Sequence, residues 1–328
     1  MTNTKISKRK FAAFVASLPL MISTAFAQAN FPEKPITLVV PYGAGTGTDA
    51  LGRKLASVMN DLLGQPMIVE NKAGGSAQIG TQFVTKSAPD GHTLLVGTDQ
   101  IVCYNPILFK SQPYNVTKDL TPVAGLTLHP YVLVVPTSLN VKTVAELVAL
   151  GKSKPGSLSF ASTGVATSAH LTGELFKQEA KLDMTHVPYQ SGAQLFPDLL
   201  EGRVSMMFYP YQQVKSYIDA GKLRALATTT EKRTEFLPNI PTMPELGFPK
   251  TVLGAWLSIY APAGTPANRV SKLSEAFKKA LDMPNVGGTL PPDGVLIAYR
   301  NPAALGAYAA AQLEVCREVI RVSGAKLE

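Results

Sequence analysis

Three short stretches of this chain combine small residues with hydroxyls just before a helical pattern begins. The first is Tyr42-Gly43-Ala44-Gly45-Thr46-Gly47-Thr48-Asp49, the second Asn71-Lys72-Ala73-Gly74-Gly75-Ser76, and the third Ser162-Thr163-Gly164-Val165-Ala166-Thr167-Ser168. A helix start carries backbone N–H groups without intrahelical partners and the positive end of the helix dipole. Such a terminus binds a carboxylate or phosphate without any charged side chain. Glycine lets the ligand approach the backbone closely, and Thr46, Thr48 and Ser168 add hydroxyl donors. Asp49 and Thr48 have a second reading as helix caps, as do the serines and threonines of the third stretch, and capping is compatible with binding.

Other chemistry is poorly supported. Gly47 to Lys54 misses the phosphate-binding loop pattern, because Arg53 stands between Gly52 and Lys54 and no Ser or Thr follows. Gly43-x-Gly45 with Glu70 ending the next strand imitates a dinucleotide fingerprint, but Thr48 replaces its third glycine. Of the four histidines, His92, His129, His170 and His186, none lies in a zinc-protease motif, and no serine lies in a nucleophile elbow. His170 and Glu174 have a metal-compatible spacing but no visible third ligand. Tyr42, Tyr189, Phe208, Tyr209 and Tyr211 fall near predicted strand ends, where their rings suit either a flat ligand or ordinary packing. No cofactor, metal or catalytic residue is expected.

These stretches need a frame to position them. Strands are predicted at Ile36–Val40, Met67–Val69, Thr93–Val96, Leu158–Ala161, Thr185–Pro188, Val204–Phe208, Leu223–Ala227 and Trp256–Tyr260. Helical spacing covers Leu51 to Leu62, a short run through Ile79 and Val84, Ala169–Glu179, Ala193–Leu200, Gln213–Ala220, Ala267–Leu281 and Pro302–Ser323, with Gly64, Gly202 and Gly221 as stops. Alternating strands and helices argue an α/β fold. Extended segments at Tyr131–Val135 and Leu223–Thr228 suggest that the chain leaves one domain, builds another and returns. The expected division is 28–127 plus 254–328 for domain 1 and 128–253 for domain 2.

The 328 residues carry a net charge of +8, with 45% hydrophobic and 16% charged residues. That composition excludes a disordered chain. Half of the positive surplus sits at Lys5, Lys8, Arg9 and Lys10, and the other basic residues are scattered, so no nucleic-acid footprint is present. The basic start, the apolar run Phe11 to Ile22 and Ala25-Phe26-Ala27 form a signal-peptide pattern over 1–27, with cleavage expected before Gln28. The run is too short for a membrane anchor. Cys103 and Cys316 are far apart in sequence and are expected as buried free thiols, although an exported location permits a bridge.

The segments FPEKPITLVVPYGAGTGTD, VENKAGGSAQIGTQFVTKSAPDGHTLL, FASTGVATSAHLTGELFK, HVPYQSGAQLFPDLLEGRVSMMF, LRALATTTEKRTEFLPNIPTMPELG and WLSIYAPAGTPANRV occur in that order. Through them the chain resembles the Bug family, periplasmic solute-binding receptors of tripartite tricarboxylate transporters. The resemblance implies a two-domain periplasmic binding protein of type II, closing on its ligand like a flytrap, with a cleft between two mixed sheets covered by helices. It implies a small carboxylate ligand, a monomer, and permease subunits in the membrane as partners. Carried onto this sequence, the site comprises Tyr42, Gly43, Ala44, Gly45, Thr46, Thr48 and Asp49 in the first loop and Gly74, Gly75 and Ser76 in the second. Thr163, Gly164, Ser168 and His170 follow from domain 2, with Tyr189, Gly192, Ala193 and Phe208 as the far wall. Thr46, Ser76-Ala77 and Ser205 depart from the family pattern. A serine instead of aspartate at 205 would favour a diacid if that position lies near the cleft, and with the aromatic supply it leans the ligand toward an aromatic or dicarboxylic acid. A secreted enzyme acting on a small acid, or a ligand-binding partner of a sensor kinase, would share these features.

Overall fold

The computed structural model describes residues 31–323 except Ala166, Gln190 and Ser191. The expected leader, 1–27, and three residues of the quoted segments therefore lie outside the described residues. In chain order the main elements are β1 (Ile36–Val40), α1 (Gly47–Leu63), β2 (Met67–Asn71), α2 (Gln78–Thr85), β3 (Thr93–Thr98), α3 (Asn105–Leu108), α4 (Val116–Asp119) and β4 (Leu120–Pro136). Then come α5 (Val144–Ser153), β5 (Leu158–Ser162), α6 (Ser168–Ala180), β6 (Met184–Pro188), α7 (Gly192–Leu200), β7 (Met206–Pro210), α8 (Tyr211–Asp219) and β8 (Leu223–Thr228). The chain ends with β9 (Gly254–Pro262), α9 (Ala267–Asp282), β10 (Leu296–Arg300) and α10 (Pro302–Ser323). A π-helical turn, Gln100–Tyr104, joins β3 to α3.

Two lobes share one long strand. The first half of β4 pairs antiparallel with β9 and β10, and its second half, from Tyr131, pairs with β7 and β8. β4 spans the expected boundary between 127 and 128. β8, read from sequence as a crossing segment, pairs with β4 within the second lobe. The return runs through the segment before β9, where the buried Thr229 hydroxyl donates to the Leu253 carbonyl at 2.5 Å and accepts from the Tyr131 amide at 2.9 Å. Three chain segments are thus tied together at the waist.

β1 reads ITLVV because both faces of its sheet are covered: Leu38 and Val40 face one apolar cluster with α1 and α9, and Val39 faces another with α10. Leu51, Leu55, Val58, Met59 and Leu63 form the buried stripe of α1, and the left-handed Gly64 closes it with a 2.8 Å bond to the Asn60 carbonyl. α1 begins at Gly47 rather than near Leu51, because Thr46 caps it and so draws Gly47, Thr48 and Asp49 into its first turn. In the second lobe α6 is buried on two sides. Phe176 packs into the core of its own lobe, while Leu171 and Leu175 pack into the cluster formed with α10.

The parallel strands place the candidate loops. β1, β2 and β3 are mutually parallel, as are β5, β6 and β7. All loops that follow these strands therefore leave the same edge of each sheet, where an α/β site forms.

Candidate ligand-binding loops

The first loop is a closed lattice. Thr46 Oγ1 accepts from the Asp49 amide at 3.4 Å and donates to the Gly43 carbonyl at 2.9 Å. Asp49 is buried and accepts from the Gly45 amide (2.9 Å), Arg53 Nε (3.0 Å) and Asn71 Nδ2 (2.9 Å). The bond from Arg53, then that from Gly45, holds its carboxyl down at about 2. Thr46, not Thr48 or Asp49, is the N-cap, and the Asp49 carboxylate turns back into the loop. Gly43, Ala44, Gly45, Thr46 and Gly47 are exposed, so the backbone of 43–47 is the surface this loop offers. Tyr42 shares a 2.7 Å hydrogen bond with Thr98 at the end of β3, and burial pushes its phenol up. Its ring is half-buried packing rather than a bare stacking face.

The second loop is strained. Gly74, Gly75, Ser76 and Ala77 follow one another with positive φ, of 128°, 56°, 53° and 71°. Ser76 and Ala77 carry a Cβ there, at a cost of about 1–3 kcal/mol each. The buried Asn105 compensates by donating to the Ser76 carbonyl at 2.8 Å. Gly74, Gly75 and Ser76 are exposed at the start of α2.

The third loop repeats the construction of the first in the other lobe. Thr167 Oγ1 accepts from the His170 amide at 3.4 Å and donates to the Gly164 carbonyl at 2.9 Å, as Thr46 does to Gly43. Ala166, expected in this loop, lies outside the described residues. Ser162 Oγ, at the end of β5, accepts from the Gly164 amide (3.2 Å), donates to its carbonyl (2.8 Å) and lies 2.7 Å from His186 Nε2. One hydroxyl proton serves one acceptor, so with Ser162 donating to Gly164 the His186 ring donates from Nε2. His186 stacks on His170 with ring centroids 3.8 Å apart, and His170 Nε2 is 3.7 Å from Glu174. Burial first, then the neighbouring His170, pushes His186 down to about 4. His170 is thus the buried partner of a stacked imidazole pair whose other ring, His186, is half-buried and bonded to the loop through Ser162. Among the described residues no three metal-ligating side chains gather.

The far wall is built differently from the sequence expectation. Thr163 reaches the Tyr209 hydroxyl, and Gly192 opens α7 with Phe196 and Tyr209 beside it. Ala193 is exposed. Tyr189 donates from its hydroxyl to Asp198 at 2.8 Å, which raises its phenol to about 12, with burial the larger cause. Phe208 is 1% exposed and packs edge-on to Phe176 in the second lobe's core, so it is a core residue rather than a wall. Met206, Met207, Phe208 and Tyr209 are all buried, so neither face of β7 is open to a ligand at this position. Ser205 lies before β7 and accepts from the Ser159 amide, at the strand ends opposite the loops. The diacid argument from that position loses its footing.

The lobes meet at a buried carboxylate that sequence reasoning missed. Asp99, just after β3, accepts a 2.5 Å hydrogen bond from the hydroxyl of Ser168, the first residue of α6, and further bonds from the Gln100 amide and the Tyr104 hydroxyl. Burial outweighs these bonds and raises Asp99 to about 6. Asn71, which opens the second stretch, was given no role, and Asn105 was missed. Asn71 ends β2 directly after Glu70, and a polar residue at that position was the available signal; Asn105 left none. Cavities of about 820 and 730 Å³ lie elsewhere, both against α10, and neither is lined by the three loops.

Residues 51–324 match the family described as tripartite tricarboxylate transporter family receptor. The chain is 33% identical over 320 residues to Protein BugT of Bordetella pertussis, covering 96% of this chain and 98% of that one. Among solved structures, Rpa4515 of R. palustris with adipate superposes with a TM-score of 0.77 at 31% identity, covering 90% of this chain and all of that one. MatC from Rhodopseudomonas palustris with bound malate gives 0.72 at 31% identity, over 88% of this chain and all of that one.

Proposed function

Because this chain belongs to the tripartite tricarboxylate transporter receptor family, we propose that it is a periplasmic receptor that captures a small aliphatic dicarboxylate between its lobes and hands it to membrane permease subunits. The observation that carries this reading is the repeated clasp, Thr46 on Gly43 in one lobe and Thr167 on Gly164 in the other, each fixing a helix start at the loop edge of its sheet. Two helix N-termini so placed suit two carboxylates, one at each. The neighbours solved with adipate and malate support the same ligand class. An aromatic preference has less behind it, since Tyr42 and Tyr189 spend their hydroxyls on Thr98 and Asp198 and Phe208 is in the core.

The physical cycle is binding by pre-placed backbone donors followed by closure about the waist at Thr229. Closure removes water from the carboxylates and strengthens each hydrogen bond to them. The expected location follows from the leader pattern at 1–27. A thermal-shift panel of aliphatic and aromatic mono-, di- and tricarboxylates on the purified protein tests the assignment, because a ligand that binds only the native state raises the melting temperature. A rise with four- to six-carbon diacids is the expected result. No rise with any carboxylate would remove the receptor reading, and a rise confined to aromatic acids would remove the aliphatic one.

A further inference from the structure

Cys103 and Cys316 are separated by most of the chain, yet the fold brings them together. Cys103 sits in the π-helical turn after β3 and Cys316 on the inner face of α10. They are 0% and 2% exposed in one apolar cluster with Tyr104, Tyr260, Leu305 and Val319. The Cys103 thiol is within hydrogen-bonding reach of Cys316. Among the described side chains of α10, the other buried positions, Leu305, Ala309, Val319 and Ile320, are plain hydrophobes. Either thiol alone would pack there as a small hydrophobe, so what distinguishes the pair is that the two sulfurs meet.

We propose that Cys103 and Cys316 form a disulfide in the exported protein, fixing α10 to the segment that follows β3. This rests on the periplasmic location, since that compartment supplies the oxidant, a dithiol oxidase in its disulfide form. One cysteine thiolate attacks a sulfur of that disulfide, giving a mixed disulfide and releasing one oxidase thiolate. The second cysteine then attacks the protein-side sulfur and releases the other. Two protein thiols become one disulfide, the oxidase disulfide becomes two thiols, and the two protons end on the departing thiolates.

The exchange belongs to folding, before α10 docks. The attacking species is the thiolate, and in the finished fold the neighbouring Cys316, then burial, pushes the Cys103 thiol well above its usual range. Once packed, the pair is shielded both from an oxidase and from reductants.

The cross-link is tested on the full chain produced with its own leader. Protein from the periplasmic extract is denatured with excess alkylating agent, with and without reductant, and weighed intact; its N-terminus and its thermal shift with diacids are read on the same sample. The proposal expects no label without reductant and two labels with it. Two labels without reductant, on protein whose N-terminus shows leader removal, overturn the bridge while leaving the receptor reading untouched. A second arm needs no export. The reduced, unfolded chain is refolded in a glutathione redox buffer, or refolded first and exposed to that buffer afterwards. Bridge formation only in the first order supports the proposal. Persistence of both thiols in the first order overturns it, and equally fast oxidation in the second overturns the timing.

Discussion

The carboxylate of Asp99 accepts a 2.5 Å hydrogen bond from the hydroxyl of Ser168. One residue directly follows β3 in the first lobe and the other opens α6 in the second, so this bond adds a polar tie to the apolar packing of Leu171 and Leu175 between the lobes. The Ser168 proton is committed to Asp99, which makes this serine a brace for the third loop. The Asp99 carboxyl takes further hydrogen bonds from the Gln100 amide and the Tyr104 hydroxyl.

Asp99 carries a stability cost at neutral pH. Its carboxyl is raised from 3.8 to about 6 in the fold, so the native state binds the proton more tightly than the unfolded one. Its contribution is fully present below pH 3.8 and is lost as pH rises through about 6. Asp99→Asn removes the charge but keeps only one acceptor oxygen, so its absolute stability also reflects lost bonds from Gln100 or Tyr104. The parent should lose roughly 3 kcal/mol relative to this variant between pH 4 and pH 8. Urea unfolding of both proteins across that range measures it, and parallel pH profiles would refute the assignment.

His186 should act in the opposite sense. Its value is lowered from 6.5 to about 4, so the stability it confers is present above pH 6.5 and is lost as pH falls through about 4. His186→Gln retains a donor toward Ser162 and should flatten the acid limb of the same unfolding profile. An unchanged acid limb would show that the imidazole pair does not set it.

Gly43 and Gly45 separate ligand contact from backbone strain. A Cβ meets nothing within 4 Å at either, but Gly45 has φ +81°. Gly45→Ala should cost about 1–2 kcal/mol of stability. Gly43→Ala should fold as the parent does and bind a diacid at least tenfold more weakly by calorimetry. Undiminished affinity would take the ligand away from this backbone.

The two threonine clasps should behave alike. Thr46→Val and Thr167→Val each remove an N-cap acceptor and a hydroxyl bond to glycine, at about 1 kcal/mol apiece. The sites lie in different lobes, so the double variant should lose the sum. Denaturant midpoints check both statements, and marked non-additivity would show that the clasps are coupled through the cleft.

Much of this protein was legible without coordinates. β1, β5 and β6 were found nearly to the residue, as were α9 and α10, and the three small-residue loops were located by the strand that precedes each and the helix that follows. The reason is that hydrophobic period, capping and glycine stops are local signals, complete within a few residues. The family was legible too, because six such segments in one order leave few alternatives.

Tertiary structure decided what those loop residues do. Whether Asp49 faces a ligand or its own loop depended on Asn71 arriving from β2, and Phe208 went to the core because of which face of β7 met Phe176. Ser205, just before β7, fell at the edge away from the loops because β7 runs parallel to β5. The sharing of β4, the Asp99–Ser168 bond and the meeting of Cys103 with Cys316 join residues distant in sequence. Nothing local distinguishes one such partner from another, because each contact exists only once sheet register and helix packing have fixed where distant segments meet.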